Sequence, residues 1–497
     1  MRPTWFARLL GCVHGLTVLE LCEVLACHRR QGYVVAPAGF GKTYLIAEAV
    51  SRSRGRQLVL THTYAGVNAL RAKMRALRVS NAAFHIDTIA SWALRLCLSY
   101  RRASGWIIER PCDNAQWTAL YSACAALLER EFIRRIVQAS YKGVYVDEYQ
   151  DCSIAQHEIV LKLARDLPCR VLGDPLQGIF DFAGQNPVEW NRDVIGNFEL
   201  LGQLETPQRW VRAGTPAIGE WLRTVREQLE QGRGIDLREG LPAGVTFREV
   251  NAAEKAVQLQ GNTCRYFACE RHETVIAIHK GSQQYKAKCH TLAKNVSGMF
   301  SSIEEIEGKE LFSFVEKIKG AESNAERLKE LVAFAGLCMT AVNENMPAGT
   351  KRGEWVAIRG NTKNPKVAGA GNTYLSEPSS ANMCAFLNAV QGSNGVKVAR
   401  ADLLNRAIGV LRKQVWDPEL TLAEAAEKYH GEFRYKGRPL ARKKLIGTTL
   451  LVKGLEFDHA IVLEAESLSK KELYVALTRG AKSLTIISST PTLNPQV

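Results

Sequence analysis

The sequence predicts an α/β protein built from two parallel-sheet domains. Three observations carry that prediction. Strand-like and helix-like segments alternate from residue 33 to residue 204. The same alternation returns between residues 245 and 489. A loop of small residues ending in Gly-Lys-Thr joins the first strand to the first long helical run. Parallel strands need long crossovers, and helical crossovers cover the faces of the sheet.

In the first half the strand-like runs are "YVVA" (33–36), "QLVLTH" (57–62), "GVYVDE" (143–148), "CRVLGD" (169–174) and "FELLGQL" (198–204). Short aliphatic runs bounded by turn residues fit strands buried on both faces. Ligands of such sheets sit beyond the carboxyl ends of the strands. The loop around Gly39 and the carboxylates of Asp147 and Asp174 fall at those ends. In the second half the runs are "VTFREV" (245–250), "TVIAIH" (274–279), "LIGTTLL" (445–451), "HAIVLEA" (459–465) and "LTIISS" (484–489). A mostly helical segment, roughly 295–435, splits this domain. Within it, the Gly, Pro, Ser and Asn content of 345–382 predicts loop.

The loop lies within "VVAPAGFGKTYLI" (34–46). The general phosphate-binding pattern begins with glycine. Here that place is Ala36, followed by Pro37, Ala38, Gly39, Phe40, Gly41, Lys42 and Thr43. Gly39 and Gly41 admit backbone conformations that a Cβ obstructs. Successive N–H groups can then curl round an anion, and the positive end of the next helix adds to the attraction. Lys42 would reach the β- and γ-phosphates of a nucleotide, and Thr43 would ligate Mg²⁺.

Composition narrows the partners. Lys and Arg exceed Asp and Glu by 65 − 50 = 15, a balance that favours a polyanion, nucleic acid above all. The 13 cysteines contain no C-x-x-C pair, and unbridged cysteines predict a reducing, cytoplasmic location. Cys264, Cys269, His272 and Cys289 form a loose cluster whose spacing matches neither zinc nor iron–sulfur patterns. "LLGC" (9–12) resembles a lipoprotein cleavage box, but Arg8 interrupts an apolar run too short for a signal peptide. No run reaches the ~18 apolar residues of a membrane span, so no membrane partner is expected.

The second site stretch is "VYVDEYQDCS" (144–153). Aliphatic residues lead into Asp147, which can hold Mg²⁺ through water, and Glu148, which can polarise an attacking water. With these residues in place, the sequence resembles the UvrD/Rep family of superfamily 1 helicases. That family's second motif is Asp-Glu followed by aromatic-Gln-Asp, and its phosphate loop commonly begins with Ala. The resemblance runs from about 33 to 490 and is weakest between 215 and 440. It implies two RecA-like P-loop motor domains, each with a small, mostly helical insertion. Their expected bounds are 1–205, with an insertion at about 96–140, and 206–497, with an insertion at about 295–435.

The resemblance also implies roles for further residues. "LTHTYAGVNAL" (60–70) is similar to a segment that contacts single-stranded DNA, through Thr61, His62 and Thr63. His62 stands where the family often has Phe. "HIDTIASWALR" (85–95) resembles the next DNA-contacting motif, with Asp87 and Thr88 at its polar positions. Plain helix is the other reading of both segments. In "VLGDPLQGIFDFAG" (171–184), Gln177 matches the γ-phosphate sensor. Phe180 and Phe182 match aromatic DNA-contacting positions, with Phe182 as a base-stacking platform; the alternative is that both are core. In "TPQRWVRAG" (206–214), Arg209 matches a phosphate-contacting arginine that opens the second motor domain. Gln208 stands where the family has a Tyr against adenine, and no matching glutamine precedes the phosphate loop. "TTLLVKGLEFDHAIV" (448–462) resembles the fifth motif, placing Glu456 near the ribose and γ-phosphate and Thr448 near DNA. "ELYVALTRGAKSLTI" (472–486) resembles the sixth, with Arg479 as arginine finger.

The implied function is an ATP-driven, Mg²⁺-dependent single-stranded DNA translocase and helicase, with 3′-to-5′ polarity by resemblance. Its DNA would be single-stranded or a tailed duplex. The insertions are small for the family, which motivates a second reading: a nucleic-acid-sensing ATPase that regulates a partner nuclease, as in bacterial antiviral systems. DNA repair or antiviral defence is the pathway class in view. An unrelated P-loop kinase would leave Arg209, "KGLEF" and Arg479 unexplained.

Overall fold

The computed structural model describes residues 16–109, 111, 113–179, 186–250, 255–303, 308–436 and 442–495. These residues form two compact units. The first comprises residues up to 233 together with 469–478, and the second comprises 234–468 and 479–495. Each contains one six-stranded sheet in which every pairing is parallel.

The first sheet contains β1 (Gln31–Val35), β2 (Gln57–Thr61), β3 (Phe84–Thr88), β4 (Gly143–Val146), β5 (Cys169–Gly173) and β6 (Glu199–Gln203). Their order is β3-β2-β4-β5-β1-β6. β2, β4 and β5 are buried throughout, as strands covered by helices on both faces must be. Because all six run the same way, the residues after β1, β2, β3, β4 and β5 emerge along one edge. The helices of the expected insertion, including Asn114–Leu128 and Glu131–Ser140, do not form a separate body. Leu120, Tyr121, Cys124, Ile133 and Val137 share one core with Leu58 of β2 and Val144 of β4.

The second sheet follows a short β7 (Ile235–Asp236) and contains β8 (Val245–Glu249), β9 (Val275–His279), β10 (Ser301–Ser302), β11 (Lys444–Thr448), β12 (Phe457–Val462) and β13 (Gly480–Ser488). Its order is β10-β11-β9-β12-β13-β8, and β14 (Thr492–Leu493) pairs antiparallel with β7. The segment between β10 and β11 builds a separate helical core around Leu328, Leu331, Phe386, Leu387 and Leu411.

Several expectations need correction. Residues 345–382 are largely helical, in Ala348–Arg352, Pro365–Ser376 and the start of Ser380–Gln391, with irregular chain at 354–364. Val367, Ala368 and Tyr374 are buried there, so tertiary packing overrode the local turn signals. The strand expected over 445–451 ends at Thr448, and Thr449–Val452 is a helical turn. The segment 85–95 is strand in β3 up to Thr88 and helix from Ile89. The two compact units divide after residue 233. The helices Gln208–Ala213 and Pro216–Glu230 therefore belong to the first unit, anchored by the fully buried Trp210.

An ionic network joins three strands of the second sheet near their starts. Glu273 accepts from Lys482 Nζ at 2.8 Å and lies 3.0 Å from His459 Nε2. Asp458 accepts from Thr274 N and Oγ1, both at 2.9 Å. Lys482, then His459, hold the Glu273 carboxyl down at about 2, against an ordinary 4.5. A lowered carboxylate pKa contributes stability above the ordinary value, lost as pH falls through the lowered one. Glu273→Gln is expected to lower the melting temperature at neutral pH. That deficit should shrink as wild type and variant are both taken below about pH 4.5; a deficit independent of pH would contradict the ionic role.

Candidate phosphate-binding site

β1 ends at Val35, and Ala36 N donates to Gly173 O of β5 at 2.8 Å, so the loop starts from within the sheet. Gly39 and Gly41 have φ of 77° and 98°, a region where side chains are strained. A Cβ on Gly39 would also lie 2.8 Å from the Trp210 ring. Phe40 is buried edge-on against that same ring, with centroids 6.5 Å apart. The loop is thus clamped from behind by the helix that follows Pro207. Lys42 opens the helix Lys42–Arg52, whose N-cap is Gly41 with no side-chain capping bond. Helix-start N–H groups lack intrahelical acceptors and carry partial positive charge, so this uncapped end fits an anion.

Lys42 is buried, with its Nζ 2.5 Å from Glu148 Oε2 and 3.3 Å from Asp147 Oδ1. Burial opposes its charge, but Glu148 and Asp147 outweigh that and raise its pKa. Asp147 follows β4 directly, and its N donates to Leu60 O of β2 at 2.8 Å. Burial pushes its carboxyl up to about 6, with Lys42 pulling the other way and Glu148 adding to the rise. Glu148 has φ of 54°, unusual for a residue other than glycine. That kink turns its half-buried carboxylate back toward Lys42.

Two residues of the same motifs extend this network. Gln150 Nε2 donates to Glu148 Oε2 at 2.6 Å, while its Oε1 accepts from Asp174 N at 3.0 Å. Asp174, fully buried after β5, has Oδ2 accepting from Ala38 N at 3.1 Å and from Gln177 Nε2 at 2.9 Å. Its Oδ1 accepts from Arg226 at 2.6 Å. A carboxylate therefore already occupies one N–H of the loop, and a buried arginine balances it. Lys42, Asp147, Glu148 and Gln177 are thus brought together around the loop.

Arg209 is half-buried in the same unit. Its N donates to Gly39 O at 2.9 Å and its guanidinium donates to Thr478 O. Thr43 is half-buried next to Lys42. Thr61, Asp87 and Thr88 are buried at the ends of β2 and β3. Asp87 pairs with Arg95, and its Oδ1 accepts from Thr88 N at 2.8 Å. Thr63 and Thr88 spend their hydroxyls capping the helices Tyr64–Ala76 and Ile89–Ser99. His62 Nε2 lies 3.4 Å from Cys152 Sγ. Phe180 and Phe182 lie outside the described residues.

In the second unit, Thr448 is buried at the end of β11. Arg479 is buried, and its guanidinium donates to Leu455 O at 3.0 Å, beside the exposed Glu456. The fold of this unit therefore brings the two last motifs together. Cys264 and Cys289 are buried in its apolar core, where burial pushes the Cys264 thiol up to about 12.

The sequence reading assigned no role to Gln150, Trp210 or Arg226. Gln150 lies within the acid motif, so its signal was present. Arg226 carries none, because its partner Asp174 is 52 residues away.

Residues 110–192, which include Asp147, Glu148, Gln150, Asp174 and Gln177, match the family model of the UvrD/REP helicase N-terminal domain. No curated protein matches the chain. Among solved structures, the Escherichia coli DEAH/RHA helicase HrpB is similar at 9% identity and a TM-score of 0.38. That match covers 95% of this chain and 42% of HrpB, so this chain spans less than half of that protein's length. The segment match shows that residues 110–192 are similar to the N-terminal domain of UvrD/REP helicases. Among the described residues no helix is long and apolar enough to cross a membrane.

Gln150→Leu keeps the side chain's size but removes both hydrogen bonds, leaving Asp174 N without that acceptor. The expected cost is about 1–3 kcal/mol, read as a lower denaturation midpoint of the first unit. An unchanged midpoint would show that the amide bridge does not form.

Proposed function

We propose that this protein is an ATP-driven translocase and helicase acting on single-stranded DNA or tailed duplexes. One observation carries the reading above the others. Lys42 is held by Asp147 and Glu148 at the foot of an uncapped helix start. A phosphate entering the loop offers Lys42 a stronger partner, since the ammonium can then exchange a carboxylate for a polyanion. That exchange frees Glu148 to take the proton of an attacking water, and Gln150 keeps its carboxylate in place. Gln177, tied to Asp174 beside Ala38, is positioned to respond to the terminal phosphate.

Mg²⁺ fits the site chemically. Among the described residues no group of three or more His, Cys, Asp or Glu side chains could hold a metal alone. A hard cation here would therefore use Thr43, Asp147, phosphate oxygens and water, the pattern Mg²⁺ favours. When bound it would offset the developing phosphate charge. Arg209 would add a phosphate contact within the first unit, and nucleotide-binding roles for Glu456 and Arg479 rest on the family resemblance. Thr61, His62, Thr63, Asp87, Thr88, Phe180, Phe182 and Thr448 would contact the strand. ATP favouring one conformation over another would convert turnover into stepping. Polarity of 3′ to 5′ rests on the family resemblance.

A second reading follows from the helices at 96–140. They complete the core of the first sheet instead of standing apart as an arm. A motor so reduced suits a nucleic-acid-sensing ATPase that regulates a partner nuclease in the cytoplasm.

The deciding experiment is ATPase activity with and without single-stranded DNA, followed by unwinding of a tailed duplex. Strand-stimulated turnover with unwinding supports the helicase. Stimulation without unwinding supports the sensor, and no turnover under either condition removes both. Lys42→Ala and Glu148→Gln should each reduce turnover by at least about 100-fold. Glu148→Gln should still bind ATP and DNA, and normal turnover by this variant would refute the base assignment.

A further inference from the structure

We propose that residues 351–366, on the helical insertion of the second unit, form an additional contact for single-stranded nucleic acid, with Trp355 as its base-stacking platform. The proposal rests on the nucleic-acid reading given above, and no motif that carried that reading includes this segment.

Trp355 is 65% exposed, and Ile358, three residues on, is 51% exposed. Exposed tryptophans are uncommon because the ring's apolar area favours burial. A mobile loop could hide such a ring by collapsing onto the surface. Here the backbone on both sides is fastened. Gly353 has φ of 76°, and a Cβ there would fall 2.3 Å from Ala325 O, so the chain turns tightly against the neighbouring helix. Glu354 N donates to Gly349 O at 2.8 Å. Asn372 commits both ends of its amide to Val356: Oδ1 accepts from Val356 N at 2.8 Å, and Nδ2 donates to Val356 O at 2.6 Å. Asn372 is itself buried. Trp355 thus sits between two anchored residues and faces solvent.

The surroundings point to the occupant. Lys351, Arg352, Arg359, Lys363 and Lys366 are all exposed, and Glu354 is the one acid between 351 and 366. That acid is 3.9 Å from Arg352 and is also exposed. An apolar protein partner would meet five cations here, whereas a phosphate backbone complements them. An anchored, exposed aromatic ring on a segment rich in cations is a combination by which proteins hold single strands without reading sequence. A duplex keeps its bases stacked inside, so the ring favours a single strand.

The test uses the full-length protein and a fluorescent oligothymidylate, without nucleotide, measured by anisotropy at several salt concentrations. Trp355→Ala should weaken binding about 5- to 150-fold, the range expected for losing one stacked base. Trp355→Phe should restore most of that affinity. Arg359→Glu with Lys363→Glu should flatten the salt dependence by roughly 0.7 in logarithmic slope for each phosphate no longer neutralised. Basal ATPase and melting temperature should stay at wild-type values for all variants. Wild-type affinity in Trp355→Ala overturns the stacking proposal while leaving the motor reading intact. Equal losses for oligothymidylate and blunt duplex also overturn it. If wild type itself binds no oligothymidylate, the nucleic-acid reading fails together with this one.

Discussion

The structure of the first unit depends on one buried ammonium group. Lys42 Nζ lies between the carboxylates of Asp147 and Glu148, out of contact with bulk water. Removing one partner from such a pair costs about 3–5 kcal/mol, because the remaining charge is left buried. The loop, the helix start, β1 and β4 must therefore stay in register with one another. Asp174 extends the constraint by joining Ala38 to Gln177 and Arg226. An ionic cluster of this kind, with two cations and three carboxylates, ties the loop after β1 to the ends of β4 and β5.

The second unit repeats part of this construction. β12 is followed by Glu464, with φ of 50°, and then by a short helical turn, as β4 is followed by Glu148 with φ of 54°. Glu464 pairs with Lys288 at 2.8 Å, on the helix that follows β9. Glu148 pairs with Lys42, on the helix that follows β1. The residues around these pairs differ, and no repeat is visible in the sequence. The correspondence belongs to the backbone: a strand end, a left-handed acidic residue and a lysine from a neighbouring crossover helix.

The two inserted segments are organised differently. The helices at 96–140 bury their apolar faces in the core of the first sheet. The helices between β10 and β11 instead enclose their own core, with Phe314 and Phe334 stacked at 4.1 Å. A body with its own core can hold its surface loops firmly. That is why the irregular chain at 354–364 is anchored although it has no regular secondary structure.

Much of the fold was legible in the residues themselves. Strand-like runs located ten of the strands; the central ones are apolar along their length because a parallel strand covered on both faces must be, whereas the edge strands β6 and β8 are partly exposed. The loop after β1 and the Asp147-Glu148 strand end were legible because the residues that shape them are neighbours in sequence: glycines, a lysine and an aliphatic run ending in acids. Packing alone decided the rest. β3, with its polar His85 and Asp87, gained its place by pairing with β2. Residues 365–376 became helix by burying Val367 and Tyr374. The Gln150 bridge, the Arg226–Asp174 pair and the exposure of Trp355 depend on groups that are close in space, several of them far apart along the chain. No local pattern encodes such a meeting, because its free energy exists only once the intervening chain has folded.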